Sequence, residues 1–185
     1  MPRFFPAVPL VIAVIAPILA LFSLTASAEC QQIVIVRHAE KAEDGTSDPP
    51  LSHAGAARAE QLARMLRGAN VLALYATQYR RTQQTLEPLS RDNSLPVAIR
   101  PIENGNANKQ ATDIANEVRQ IQTSGTVVIA GHSNTVDDLA AAFTETSIDE
   151  LDHNDYDSLF LIRRCEDDTA LLLRQTYSGT MSGAR

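Results

Sequence analysis

Arg37 and His38 stand side by side, and a second arginine and a second histidine follow at Arg81 and His132. A neutral imidazole is a nucleophile or a proton acceptor near neutral pH, and a guanidinium offers a planar fork of N–H donors matched to phosphate oxygens. Two such pairs brought together suit one chemistry: an anion of phosphate size is bound by the arginines where an unprotonated histidine can attack it. Nearby cations also disfavour protonation of a histidine, which keeps its attacking nitrogen available. Lys41, shortly after His38, either extends the positive mouth of such a site toward the substrate or is an exposed loop lysine. Taken singly, each of these residues is equally well read as an ordinary polar residue at the end of a strand, so the reading depends on convergence.

Convergence requires a scaffold, and each cluster follows a short apolar run. "IVIV" (Ile33 to Val36) leads into Arg37 and His38, "VLALY" (Val71 to Tyr75) into the turn before Arg81, and "TVVIA" (Thr126 to Ala130) into His132. Continuous β-branched and aliphatic runs of this length read as strands buried on both faces of a parallel sheet. Helical spacing follows each: Ala54 to Arg67 with Ser52 as cap, a segment through Thr82 to Leu89 capped by Thr77, and Val136 to Phe143 capped by Asn134 or Thr135. Thr112 to Gln122 carries a further apolar stripe, Ile114, Val118 and Ile121. Ser158 to Arg164 and Ala170 to Tyr177 read as a hairpin at the sheet edge. The expected fold is therefore α/β, a mostly parallel sheet with helices on both faces and C-terminal antiparallel edge strands. Ligands of such sheets bind outside the carboxyl ends of the strands, where the three clusters then share one edge.

Residues 1–28 read as a secretory leader: a basic start at Arg3, an apolar stretch interrupted by Pro9 and Pro17, and "ASA" before Glu29. Cleavage after Ala28 leaves one domain, 29–185, exported to the periplasm or secreted. The leader holds one arginine and no acid, so its loss takes the net charge from −6 to about −7. That balance argues against nucleic acid as partner and leaves anion binding to a local pocket. No membrane association is expected after cleavage, and the domain is expected to be a monomer. The two cysteines, Cys30 and Cys165, are both exported, which predicts a disulfide between them.

"VRHAEK", "LSHAG", "ATQYRRTQQT" and "IAGHSN" together resemble the signature segments of the histidine phosphatase superfamily, the phosphoglycerate-mutase-like fold. By that resemblance His38 is the nucleophile that accepts the phosphoryl group, Arg37 and Arg81 bind it, His132 hydrogen-bonds it, and Asn134 lies near the substrate. The chain departs from the family pattern at Ala39, where glycine is common, at Lys41 and at Asp44. For the general acid, Glu103 in "RPIENGN" ranks ahead of Asp137 and Asp138, whose carboxylates in a first helical turn already complement the helix dipole. Using no protein acid is the remaining choice.

A metal site of His38, His132 and a carboxylate is disfavoured, because flanking arginines repel a cation. No metal or other cofactor is expected. His53 and His153 have no assigned partner, Arg80 is expected to face solvent, and the acidic "IDELDHNDYD" reads as a solvated surface. The function read from these residues is hydrolysis of phosphomonoesters through a phosphohistidine on His38. The substrate is a phosphorylated small molecule, an envelope glycan or a phosphoprotein. The competing function is a catalytically weak phosphate- or phosphoprotein-binding module with the same pocket.

Overall fold

The computed structural model describes residues 30–144, 146–165 and 170–177. The predicted leader, the tail 178–185 and the hairpin turn 166–169 lie outside the described residues. In chain order the elements are β1 (Cys30–Arg37), α1 (His53–Met65), β2 (Val71–Ala76), α2 (Arg80–Asn93), β3 (Val97–Ile99), a 3-10 turn (Glu103–Gly105), α3 (Ala107–Arg119), β4 (Gly125–Gly131), α4 (Val136–Thr144), β5 (Ser158–Cys165) and β6 (Ala170–Thr176). They build one six-stranded sheet in the order β3-β2-β4-β1-β5-β6. Strands β1 to β4 run parallel, while β5 and β6 are antiparallel and form the expected hairpin.

The alternation along β1 explains the three layers. Ile33 and Ile35 face one side with Val127, Ile129, Phe160 and Ile162, where α3 and α4 bring Ile114, Val118, Leu139 and Phe143. Val34 and Val36 face the other with Leu74 and Val128, beneath Leu62 of α1 and Leu86 and Leu89 of α2. Successive strand residues point to opposite faces, so a run with no polar break demands a cover on both. Among the described residues no helix is long and apolar enough to cross a membrane.

Cys30 and Cys165 are directly opposed on β1 and β5 and form the predicted disulfide. β3 carries no sequence signal, because three residues are too few to show a period. The helix predicted from Thr112 starts earlier, at Ala107, where Asn106 caps it by accepting from the amide of Lys109. α2 begins at Arg80 without a side-chain cap from its own N-cap residue, Tyr79, so Thr77 does not serve as its cap.

Candidate active site

Sheet register brings the two histidines together. Arg37 pairs with Gly131 at the carboxyl ends of β1 and β4, and the amide of His38 extends the ladder by donating to the Gly131 carbonyl at 2.9 Å. His38 and His132 thus emerge from adjacent strands, with ring centroids 5.3 Å apart. Gly131 has to be small at this junction, since a Cβ there would lie 2.9 Å from the Thr135 hydroxyl and 3.1 Å from Leu139. β2 delivers Thr77 beside them, and the turn after it starts α2 with Arg80 exposed and Arg81 turned inward.

The hydrogen bonds of the two rings fix which nitrogens carry protons. Nδ1 of His38 lies 2.8 Å from the Ala39 carbonyl, which can only accept, so Nδ1 bears the proton and Nε2 keeps its lone pair. On His132 the roles are reversed. Arg81 can only donate, and its Nη2 lies 3.4 Å from His132 Nδ1; Nε2 therefore donates to the Thr77 hydroxyl, 3.0 Å away. Burial, with help from Arg81 and Arg37, holds His38 down to about 4. Burial, then His38 and the same arginines, holds His132 down to about 3. Both rings are neutral near neutral pH, as a nucleophilic imidazole requires.

Each arginine is braced by a tyrosine. Arg81 lies 4.4 Å from the centre of the Tyr79 ring, and Tyr79 meets His132 edge-on at 5.3 Å. Arg37 lies 3.9 Å from the centre of the Tyr156 ring, which is 6.0 Å from His38. Nη1 of Arg37 is occupied by three backbone carbonyls, those of Asp152, His153 and Asp155, at 2.8 to 3.1 Å. The Nε–H groups of Arg37 and Arg81 are buried and find no acceptor among the described residues. Buried donors are ordinarily satisfied, so a pair of them beside two histidines fits an anionic ligand.

The cleft has a volume of about 300 Å³ and is lined by His38, Tyr79, Arg81, His132, Ser133 and Asn134, with Ile102, Gly105, Ala107 and Thr135. His38, Arg81, His132 and Asn134 therefore come together as the sequence implied. Glu103 does not join them: it lines a neighbouring depression with Arg100, Asn106, Lys109 and Asp113, while Ile102 and Gly105 on either side of it reach the cleft. Its place in a 3-10 turn explains this, because residues one apart on a tight turn point in different directions. Asp137 and Asp138 sit in the first turn of α4 and do not line the cleft either. Lys41 is exposed and bridges to Leu51.

The acidic segment 148–157 departs most from the sequence reading. Asp149, Glu150, Asp152, His153 and Asn154 are exposed as expected of a solvated surface, but the segment also holds Arg37 through its carbonyls, buries Leu151 in the core and lays Tyr156 over the arginine. No sequence signal shows this, because backbone carbonyls carry no residue identity. Thr82, Thr85 and Asp48 were also missed. Asp48 accepts from the amide of Arg80 at 3.0 Å and lies 3.8 Å from Arg81, so a distant loop caps α2.

Glu40 completes the picture behind the site. Its carboxylate takes two bonds from Nε and one from Nη2 of Arg58, at 2.7 to 3.0 Å, and Arg58 also donates to the carbonyl of Tyr177 at 3.0 Å. Burial, the largest single effect, raises the Glu40 carboxyl, but hydrogen bonds from Arg58 and from the backbone, together with the charges of Arg58 and Arg37, leave the group below its ordinary range. The backbone of α1 closes on the same loop: a Cβ on Gly55 would come within 2.1 Å of the Glu40 carbonyl oxygen. That contact accounts for the glycine of "LSHAG".

Residues 33–102 match the histidine phosphatase superfamily (branch 1). The matched segment and the fold are those of that superfamily. His132 lies beyond the matched histidine phosphatase segment, and its place in the site is given by the sheet register. The chain is similar in fold to the protein histidine phosphatase SixA in complex with tungstate (19% identity, 79% of this chain and 97% of that one, TM-score 0.58). It is also similar to a mycobacterial glucosyl-3-phosphoglycerate phosphatase in complex with inorganic phosphate (15%, 82% and 100%, 0.62) and to YhfR of Bacillus stearothermophilus (16%, 80% and 98%, 0.61). No curated protein matches the chain.

Proposed function

We propose that the protein is an exported phosphomonoester hydrolase that works through a phosphohistidine on His38. The observation that carries this is the engagement of His38 Nδ1–H by the Ala39 carbonyl, which leaves the lone pair on Nε2 of a ring whose protonation burial, Arg81 and Arg37 oppose. In the first step Nε2 attacks phosphorus and the bond to the leaving oxygen breaks. Positive charge developing on the ring is stabilised through Nδ1–H and the Ala39 carbonyl. The arginines stabilise the equatorial oxygens of the transferring group, and His132 lies within reach of the same oxygens. Water then attacks phosphorus, and the N–P bond breaks to regenerate His38 and release phosphate. The leader and the Cys30–Cys165 disulfide support an oxidising compartment, periplasmic or extracellular. Structural neighbours named as a protein histidine phosphatase and as a glucosyl-3-phosphoglycerate phosphatase support a phosphoprotein or a phosphorylated small molecule as substrate, and an exported enzyme could also meet an envelope glycan.

Among the described residues no carboxylate lines the cleft, so a leaving group is expected to depart with little help from a protein acid. Aryl phosphates are therefore expected to turn over faster than alkyl phosphates, by about 100-fold or more for leaving groups several pKa units apart. The test is hydrolysis of both substrate types by the mature chain beside His38→Ala, with acid-labile phosphate trapped on the protein. Loss of turnover and of the trapped phosphate in His38→Ala is the expected result. Equal rates for the two proteins would remove the phosphohistidine route, and phosphate binding without turnover by the wild type would leave a binding module.

A further inference from the structure

The histidines owe their opposite proton positions to something behind them, and the hydrogen bonds lead in both cases to α2. Thr82 and Thr85 lie on that helix and are fully buried at 0% exposure. A buried β-branched residue with a hydroxyl is a poor helix former, so two of them one turn apart call for a use. The Thr85 hydroxyl accepts from the amide of Ala39 at 2.9 Å and donates to the carbonyl of Arg81 at 2.7 Å. A hydroxyl has one proton, and the Arg81 carbonyl can only accept, so the direction is fixed. Ala39 is thereby pinned to the same helical turn that carries Arg81, and its carbonyl is the group that receives Nδ1–H of His38.

Thr82 closes a second chain. Its hydroxyl lies 2.8 Å from the Tyr79 carbonyl and 2.9 Å from the Thr77 hydroxyl, which in turn meets Nε2 of His132 at 3.0 Å. With a carbonyl at the far end, the protons run one way: His132 Nε2–H to Thr77, Thr77 to Thr82, Thr82 to Tyr79. At the other end Arg81 donates to Nδ1 of His132, which enforces the same direction. The two chains share Arg81 as a neighbour, so one helix sets both rings and the arginine between them.

We infer that Thr85 and Thr82 are positioning residues: Thr85, through Ala39, holds His38 as the Nδ1–H tautomer with Nε2 free, and Thr82, through Thr77, holds His132 as the Nε2–H tautomer. The consequence for turnover rests on the phosphohistidine reading, but the proton positions do not. In the nitrogen-labelled mature protein, proton–nitrogen correlation of the imidazole rings distinguishes the two tautomers directly. Wild type is expected to show His38 protonated at Nδ1 and His132 at Nε2. Thr85→Val, which keeps the shape and removes the hydroxyl, is expected to turn His38 into a mixture of tautomers. It should lower kcat on an aryl phosphate by about tenfold or more while KM moves less than about threefold. Thr82→Val should do to His132 what Thr85→Val does to His38 and leave the His38 signals in place. Thr85→Ser and Thr82→Ser restore the hydroxyls and should restore the wild-type signals. Where a valine variant fails to fold by circular dichroism, the alanine variant is read by the same criteria. A folded Thr85→Val or Thr82→Val with wild-type tautomers at its histidine would overturn the inference, as would a serine variant that does not restore them. If His38→Ala retains activity, the phosphohistidine reading falls while the tautomer measurement still judges this one.

Discussion

His38 and His132 each have an environment that opposes charge, and that sets a pH dependence of stability. Both are held below the ordinary histidine value, to about 4 and about 3. In the unfolded chain they take protons near 6.5, so as pH falls below that point the unfolded state binds protons that the folded state refuses. Stability is therefore complete above about pH 6.5 and is lost as pH drops toward 4, by up to about 1.4 kcal/mol per pH unit for each histidine. Denaturant unfolding between pH 6.5 and 5 is expected to show a shallower slope in His38→Ala than in the wild type; identical slopes would mean that His38 titrates normally in the fold. On the proposed route, the neutral ring is also what would leave His38 a lone pair for attack under mildly acidic conditions.

Loops and strand ends hold the site through backbone groups that several elements contribute. Arg58 of α1 is the clearest case, since it clamps Glu40 at the end of the β1 loop and the carbonyl of Tyr177 after β6. The two side chains are 14% and 24% exposed, so the pair is shielded from water on most sides. Arg58→Ala is expected to cost about 1–3 kcal/mol of stability by chemical denaturation, because it leaves a carboxylate half-buried and the Tyr177 carbonyl without its donor. Arg58→Lys should recover only part of it, as one ammonium cannot reproduce the paired bonds of the guanidinium. Arg37 plays the corresponding part on the other side: Arg37→Lys is expected to loosen the 152–155 segment and so to raise KM on an aryl phosphate, and to lower kcat as well by weakening the hold on the transferring group. A change confined to kcat would instead make Arg37 a transition-state contact only.

Across the whole molecule, the disulfide and the cleft occupy opposite ends of the same strands. Cys30 opens β1 and His38 follows its last residue, a separation of roughly 25 Å at strand rise. The bridge closes a loop with a sequence separation of 135 residues, worth about 4 to 5 kcal/mol in the chain-entropy model, with measured values often lower. Replacing both cysteines by alanine is expected to lower the unfolding midpoint clearly while kcat on an aryl phosphate at 25 °C stays within about twofold. Loss of activity in a protein that remains folded would show that the far end of β1 communicates with His38.

What could be read before any coordinates existed follows from short-range physics. Unbroken β-branched runs such as Ile33 to Val36 require burial on both faces, and that requirement alone implied a parallel sheet, helices on either side, and Arg37, His38, Arg81 and His132 along one edge. The cysteine pairing followed from count and compartment. Other features needed the assembled chain. Glu103 reads like a site residue, yet it opens a 3-10 turn in which Ile102 before it and Gly105 at its end reach the cleft while Glu103 lines the neighbouring depression. The 148–157 segment reads like solvent-facing surface, yet its carbonyls hold Arg37. Thr82 and Thr85 carry no signal in the sequence beyond lying in a helix, yet each takes part in a hydrogen-bond chain that leads to a histidine. Side-chain type and period are written locally, whereas the direction of a hydrogen bond depends on which distant backbone group is brought within 3 Å of it.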